Sequence, residues 1–221
     1  MTAIETIKHL FIDAGALWVL WLLGVLSLMS VAITFERWFF YRTCGNAVST
    51  LAKQLDKHLS LGNIEAALHD FSHNSSVAAG VAAAGLRLAH LGPASAEKAM
   101  QSAVALQRAR LERGLAYLGT LGNNAPFIGL FGTVIGVLKA FDELGHGIGG
   151  ATTQTSSQVM MTSISEALVT TARGIAVALP AVAAFNYFQR RVAELLGETE
   201  ALSNLLLAYL SAEESNTGKG P

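Results

Sequence analysis

What this chain lacks narrows its class before any motif is read. It has one cysteine, Cys44, so no disulfide framework forms within the chain. Charge is scarce as well: 14% of residues are Asp, Glu, Lys or Arg, against about 25% in an average soluble domain. No Walker loop, Rossmann fingerprint or GxSxG elbow occurs. The glycines of IGLFGTVIGV have neither a preceding strand nor a following Lys-Ser or Lys-Thr. His9, His58, His69, His73, His90 and His146 share no ligand spacing and read as solvated. The chain is therefore expected to bind no metal, cofactor or nucleic acid, and to turn over no substrate.

What it has instead is apolar sequence, gathered into runs: 52% of residues are hydrophobic and the mean hydropathy is +0.43. From Ala14 to Phe35, 22 residues pass without a charge. At about 1.5 Å per residue that run crosses a hydrocarbon core of about 30 Å. A cleaved signal peptide is the competing reading. The run is too long for it, and Glu36-Arg37-Trp38 stands where small residues should mark a cleavage site. Trp38 and Tyr41 suit an interfacial aromatic belt. A second uncharged run of 25 residues covers Gly114 to Leu138. A third, Gly174 to Gln189, has only 16, and reaches spanning length only when extended upstream to about Val159. That extension puts Glu166 and Arg173 inside it. Buried core helices of a soluble α domain account poorly for three such runs separated by polar blocks.

Basic residues set an orientation. Nine of the fifteen Lys and Arg fall from Arg37 to Arg113, with only Lys8 before the first run, only Lys139 in the loop after the second, and Arg190 and Arg191 just beyond the third. The positive-inside rule then puts the N-terminus outside and the C-terminus in the cytoplasm. Cys44 falls on the cytoplasmic side, where a free thiol is unremarkable. The expected fold is an all-α integral membrane protein with three transmembrane helices and a helical cytoplasmic extension. Its parts are an external N-terminal segment (1–13), a span (14–35), a cytoplasmic helical region (36–113), a second span (114–140), an external loop (141–158), a third span (159–188), and a cytoplasmic C-terminal helix and tail (189–221).

Within 36–113, Leu51, Leu55 and Leu59 recur at helical spacing, Asn63 suits an N-cap, and SHNSS at 72–76 reads as a break. Pro93 suits the first turn of another helix. Nothing in 94–125 stops that helix, so 93–140 reads as one rod of roughly 70 Å. The final SAEESNTGKGP reads as a disordered polar tail.

Two stretches carry the functional questions. On a helix, Gly122, Pro126, Gly129, Thr133, Gly136 and Ala140 form one stripe of small residues with a single hydroxyl in it. Such a stripe lets backbones approach, and Gly132 with Gly136 fits the same packing pattern. Thr133 can also line a narrow polar path, because a hydroxyl both donates and accepts. In the third run, Glu166, Thr170 and Arg173 share one helical face, while Thr171 shares another with Ala167, Gly174 and Ala178. An intramembrane charge costs about 2.5–3.5 kcal/mol on insertion scales and tends to face a bundle interior or water. Glu166 is either solvated at the outer interface or functional. Arg173 lies near mid-span, where snorkelling reach is poorest. Pairing with Glu166, in the same or a neighbouring subunit, would lower its cost.

LGNNAPFIGLFGTVIGVLKAF followed by ISEALVTTARGIAVALPAVAAFNYF resembles the paired signature of the ExbB/TolQ/MotA proton-channel family, and most of all its ExbB and TolQ branches. The resemblance covers about 113–190. It implies a multi-pass protein of the Gram-negative inner membrane, forming a homopentamer around an ExbD- or TolR-like single-span partner. Such a complex uses the proton motive force to drive a TonB- or TolA-like protein. Carried over by position, Thr133, Glu166 and Thr171 are the proton-pathway residues, and Asn186 matches a further polar position. Periodicity alone selects Thr170 as the companion of Glu166; the resemblance selects Thr171. Arg173 departs from the family pattern, where an apolar residue is usual, and is this chain's own addition. Thr170, Arg173 and Asn186 are therefore candidate modulators, and Gly129, Gly132, Gly136 and Pro126 candidate packing residues. A MotA-like stator would need four spans. A solute transporter would show inverted repeats. A non-conducting membrane scaffold is the rival from another class.

Overall fold

A computed structural model describes residues 17–44, 48–147 and 153–217. Among them every regular element is helical. Helix α1 is Leu17–Cys44, α2 Val48–Ser60, α3 Ile64–Ser72 and α4 Val77–Leu88. A 3-10 turn at Ala89–Leu91 leads into α5 (Pro93–Glu112), α6 (Leu115–Gly147) and α7 (Thr153–Thr217). The chain forms two compact units, one of residues 17–34 with 116–186 and one of 35–115 with 187–217.

The second unit follows its apolar spacing closely. Leu51, Leu55 and Leu59 all turn inward from α2. Asn63 caps α3 by accepting the amide of Ala66 at 3.1 Å, and Ser76 caps α4 by accepting the amide of Ala79 at 3.1 Å. The SHNSS break thus doubles as a helix start. Helix α4 is buried along most of its length, because Ala78, Ala79, Ala82, Ala83 and Gly85 let neighbours close on it. Around it pack Phe71, Met100, Leu202, Leu206 and Leu210. The Tyr209 hydroxyl donates to the Leu59 carbonyl, which ties α7 to the end of α2.

In the first unit, Val19 and Leu23 of α1 pack with Leu121 and Ala125 of α6 and with Ala178 and Ala181 of α7. Tyr117 donates to the Leu26 carbonyl at 3.2 Å, and Trp18 meets Phe131 edge-on at 6.2 Å. Two of the described helices are long and apolar enough to cross a membrane by length and composition: Leu17–Arg42, and a stretch of α7 within Met160–Ser215. The expected middle span corresponds to α6, which does not pass on the same measure.

Several expectations are corrected. The rod over 93–140 is two helices, because Arg113 turns to an extended ψ of 131° and Gly114 adopts φ +77°. That left-handed conformation is open to glycine at little cost. Of the tail expected to be disordered, Ser211–Thr217 are helical, as the end of one 65-residue element that also holds the third apolar run. The connector of 142–158 is likewise helical up to Gly147 and again from Thr153. Tyr41 is not a belt residue: it is buried, donating to the Leu111 carbonyl at 2.5 Å. Nor is His58 simply solvated, since its Nε2 lies 3.0 Å from Asp70 Oδ2. His9 and the external segment 1–13 fall outside the described residues, as do the side chains of Cys44 and His146.

Candidate functional site

The site grows from an unusually close approach of α6 and α7. A Cβ added to Gly129 would lie 2.9 Å from the Thr170 carbonyl oxygen. One on Gly132 would lie 2.7 Å from Thr170 Cγ2, and one on Gly136 would lie 2.5 Å from Ala167 Cβ. From the opposite side, a Cβ on Gly174 would meet the Ala125 carbonyl at 2.6 Å. Gly122 faces Val182 in the same manner. The seam therefore has glycines on both helices, and their missing side chains set the helix separation. Gly129, Gly132 and Gly136 stand on it. Pro126 is half-buried within α6, which continues through it.

Because the backbones lie so close, short hydroxyl side chains reach across. Thr171 Oγ1 donates toward the Gly129 carbonyl at 3.1 Å and toward Thr133 Oγ1 at 3.4 Å. Thr133 Oγ1 donates to the Leu130 carbonyl of its own helix at 2.6 Å. The single proton of Thr171 thus has two acceptors, one of which is itself a donor. Such a pair can reorient without breaking helical hydrogen bonds, which is what a hydroxyl relay requires.

Thr170 behaves differently. It is fully buried, and its hydroxyl returns to the carbonyls of Glu166 and Ala167 at 3.0 and 2.7 Å. Its methyl faces Gly132. The structure thus joins Thr171, not Thr170, to Thr133, while Thr170, which periodicity pairs with Glu166, reaches only the Glu166 backbone carbonyl and that of Ala167. The face proposed for Thr171 holds together: Ala167, Gly174 and Ala178 are all buried.

Glu166 and Arg173 are both exposed on α7, seven residues apart. Neither forms an ion pair among the described residues, so the pairing considered for them is not made within one chain. Asn186 is exposed rather than packed. Glu143 is a site residue the sequence reading passed over. It accepts from Ser163 Oγ at 2.8 Å and lies 3.9 Å from Lys139 Nζ, closing one end of the α6–α7 seam. Its signal was faint, one of two adjacent carboxylates, Asp142 and Glu143, in what reads as a loop. No group of three or more metal-ligating side chains occurs among the described residues.

Among the described residues, helices alone, two of them long and apolar enough to cross a membrane, and a glycine-lined, hydroxyl-bridged seam define a helical protein built around a packed helix pair. Residues 73–201 match the model of the MotA/TolQ/ExbB proton channel family. The chain belongs to that family. It is 36% identical over 120 residues to the biopolymer transport protein ExbB of Pseudomonas putida, covering 54% of this chain and 35% of that protein. It is 37% identical over 113 residues to the Tol-Pal system protein TolQ of Pseudomonas aeruginosa, covering 51% and 47%. To ExbB of Salmonella typhimurium it is 46% identical over 81 residues, covering 36% and 31%. The aligned region thus spans about a third to a half of these relatives.

Proposed function

We propose that this chain is the proton-channel subunit of an ExbB–ExbD-type motor in a Gram-negative inner membrane. It would cross that membrane three times, with a periplasmic N-terminus and a cytoplasmic C-terminus. The observation that carries the reading is the Thr171–Thr133 contact at 3.4 Å across a glycine seam, in a member of a proton-channel family. In this reading five copies surround an ExbD- or TolR-like single-span partner, which supplies a membrane-embedded aspartate. Protons pass between partner and pentamer. Thr133 and Thr171 line the path, Glu166 relays or tunes, and Thr170, Arg173 and Asn186 modulate. Each proton crossing 100 mV supplies about 2.3 kcal/mol, enough to bias a rotation or piston step. The output is motion delivered to a TonB-like protein that drives outer-membrane import.

A TolQ-like role, energising a TolA-like protein for outer-membrane maintenance, is the second reading. The comparable identity to TolQ and to ExbB supports keeping it. Arg173 finds its counter-charge, in this reading, on a neighbouring subunit, where Glu166 of the next copy is the candidate.

The test is proton flux into liposomes holding the chain and its single-span partner. Flux that disappears with Glu166→Ala or Thr133→Ala supports conduction. Flux absent from the assembled wild-type complex favours the non-conducting scaffold, and flux unchanged by both substitutions removes Glu166 and Thr133 from the path.

A further inference from the structure

The seam leaves unexplained a second feature, in the unit formed by 35–115 and 187–217. A cavity of about 620 Å³ opens there, walled by Trp38, Arg42, Tyr187, Arg190, Arg191 and Glu194. Trp38 and Tyr187 stack with ring centroids 6.2 Å apart and planes 21° from parallel. The Arg42 guanidinium stands over the Trp38 ring, 5.9 Å from its centroid. Arg191 is bound to Glu194 at 2.9 Å. Arg190 has no anionic partner among the described residues, and Arg42 has only the ring. Three guanidiniums against one carboxylate leave the cavity with an unbalanced positive charge.

Its position gives that charge a use. Arg42 is the last residue of the first membrane-length segment, and Arg190 and Arg191 end the apolar run of the third. Indole and phenol rings settle at the headgroup level of a bilayer. Basic pockets beside membrane helices at the cytoplasmic face suit anionic headgroups. Guanidinium groups also offer the forked donor geometry that a phosphate accepts.

We propose that this cavity is a binding site for the headgroup of an anionic phospholipid of the cytoplasmic leaflet. Arg42 and Arg190 bind the phosphodiester, while the Trp38–Tyr187 stack forms a wall beside the glycerol backbone. Arg191 is held back by Glu194 and sets the cavity's edge. This rests on the reading that α1 and α7 cross the membrane with this end cytoplasmic. The site gives the chain a fixed depth in the bilayer, and ties its anchoring to lipid charge rather than to partner binding.

The full chain carrying Trp18→Phe and Trp21→Phe keeps Trp38 as its one tryptophan. Reconstituted into phosphatidylcholine vesicles, it is titrated with acyl-brominated phosphatidylglycerol and, in parallel, with acyl-brominated phosphatidylcholine. Trp38 quenching is the readout. We expect quenching by both at saturation, with phosphatidylglycerol acting at a much lower mole fraction. Arg42→Gln with Arg190→Gln should reduce that preference about thirtyfold, while Arg87→Gln with Arg108→Gln should leave it. Inorganic phosphate at the same phosphoryl concentration should not compete. No quenching by either lipid would overturn the membrane reading and this inference with it. Equal quenching by both would leave the membrane reading standing and overturn the site. So would a preference that survives the Arg42/Arg190 change, falls equally with the control pair, or yields to free phosphate. A second copy in the cavity is the other occupant the test exposes. Light scattering would then show the Arg42/Arg190 variant as a smaller oligomer, with no lipid preference in the wild type, and the proposal would fail.

Discussion

Thr171 and Thr133, on different helices and 38 residues apart in sequence, hold their hydroxyl oxygens 3.4 Å apart, and Thr171 also reaches the Gly129 carbonyl at 3.1 Å. One donor facing two acceptors is a reorientable link. Replacing Thr171 by Val keeps its shape and removes the link. We expect stability to fall by about 1 kcal/mol, the net worth of a hydrogen bond, while proton flux drops far more. Thermal unfolding and liposome flux on the same preparation separate the two effects. A flux loss no larger than the loss of folded complex would assign Thr171 to packing alone.

Glycines on the seam and glycines off it should respond in opposite directions. Gly129→Ala and Gly136→Ala drive a Cβ to 2.9 Å from a backbone oxygen and to 2.5 Å from Ala167 Cβ. Overpacking of this kind costs about 1–3 kcal/mol. Gly197 sits inside α7 with nothing within 4 Å of an added Cβ, so Gly197→Ala should stabilise by about 0.5–1 kcal/mol through helix propensity. Thermal melts in one detergent check both. Equal effects at the three positions would mean that the seam is not tightly packed.

The break between α5 and α6 depends on one backbone conformation. With φ at +77°, Gly114→Ala should cost about 1–2 kcal/mol. It should also make cleavage by added protease easier around Arg110 and Arg113. If the variant melts like the wild type, the helix can run straight through, as its sequence invites.

Tyr41 offers a test of how α1 is fixed. Tyr41→Phe preserves the ring packing on Phe188, at 5.3 Å between centroids, and removes the bond to the Leu111 carbonyl. A loss of about 1–2 kcal/mol is expected, because the acceptor is left buried and less satisfied. An unchanged melting temperature would mean that water replaces the phenol.

Arg173→Met examines the guanidinium within the third apolar run. If a neighbouring copy's Glu166 partners Arg173, the variant should assemble into a less stable oligomer and shift the pH profile of flux. Unchanged assembly with an unchanged profile would rule the pairing out. Where Arg173→Met does weaken assembly, adding Glu166→Gln should recover it, since both halves of an ion pair are removed together.

What the sequence determined by itself is everything that depends on local spacing. Leu51, Leu55 and Leu59 announce a buried stripe because an α-helix repeats every 3.6 residues, and Asn63 announces a cap because helix starts leave amides unpaired. The small-residue stripe through Gly129 and Gly136 was legible on the same ground, and so was the family signature. Breaks and partners were not. Gly114 stops a helix by adopting φ +77°, whereas a single glycine within a helical pattern is otherwise tolerated and gives no sign of which it will do. Thr170 looked like the companion of Glu166 because both lie on one face of α7. Only the tertiary structure shows that this part of the helix turns the Thr170 hydroxyl onto its own backbone and sends Thr171 across the seam. A one-dimensional pattern specifies which residues share a face. Which neighbour that face meets, and at what distance, is decided by the packing of glycines on two helices at once.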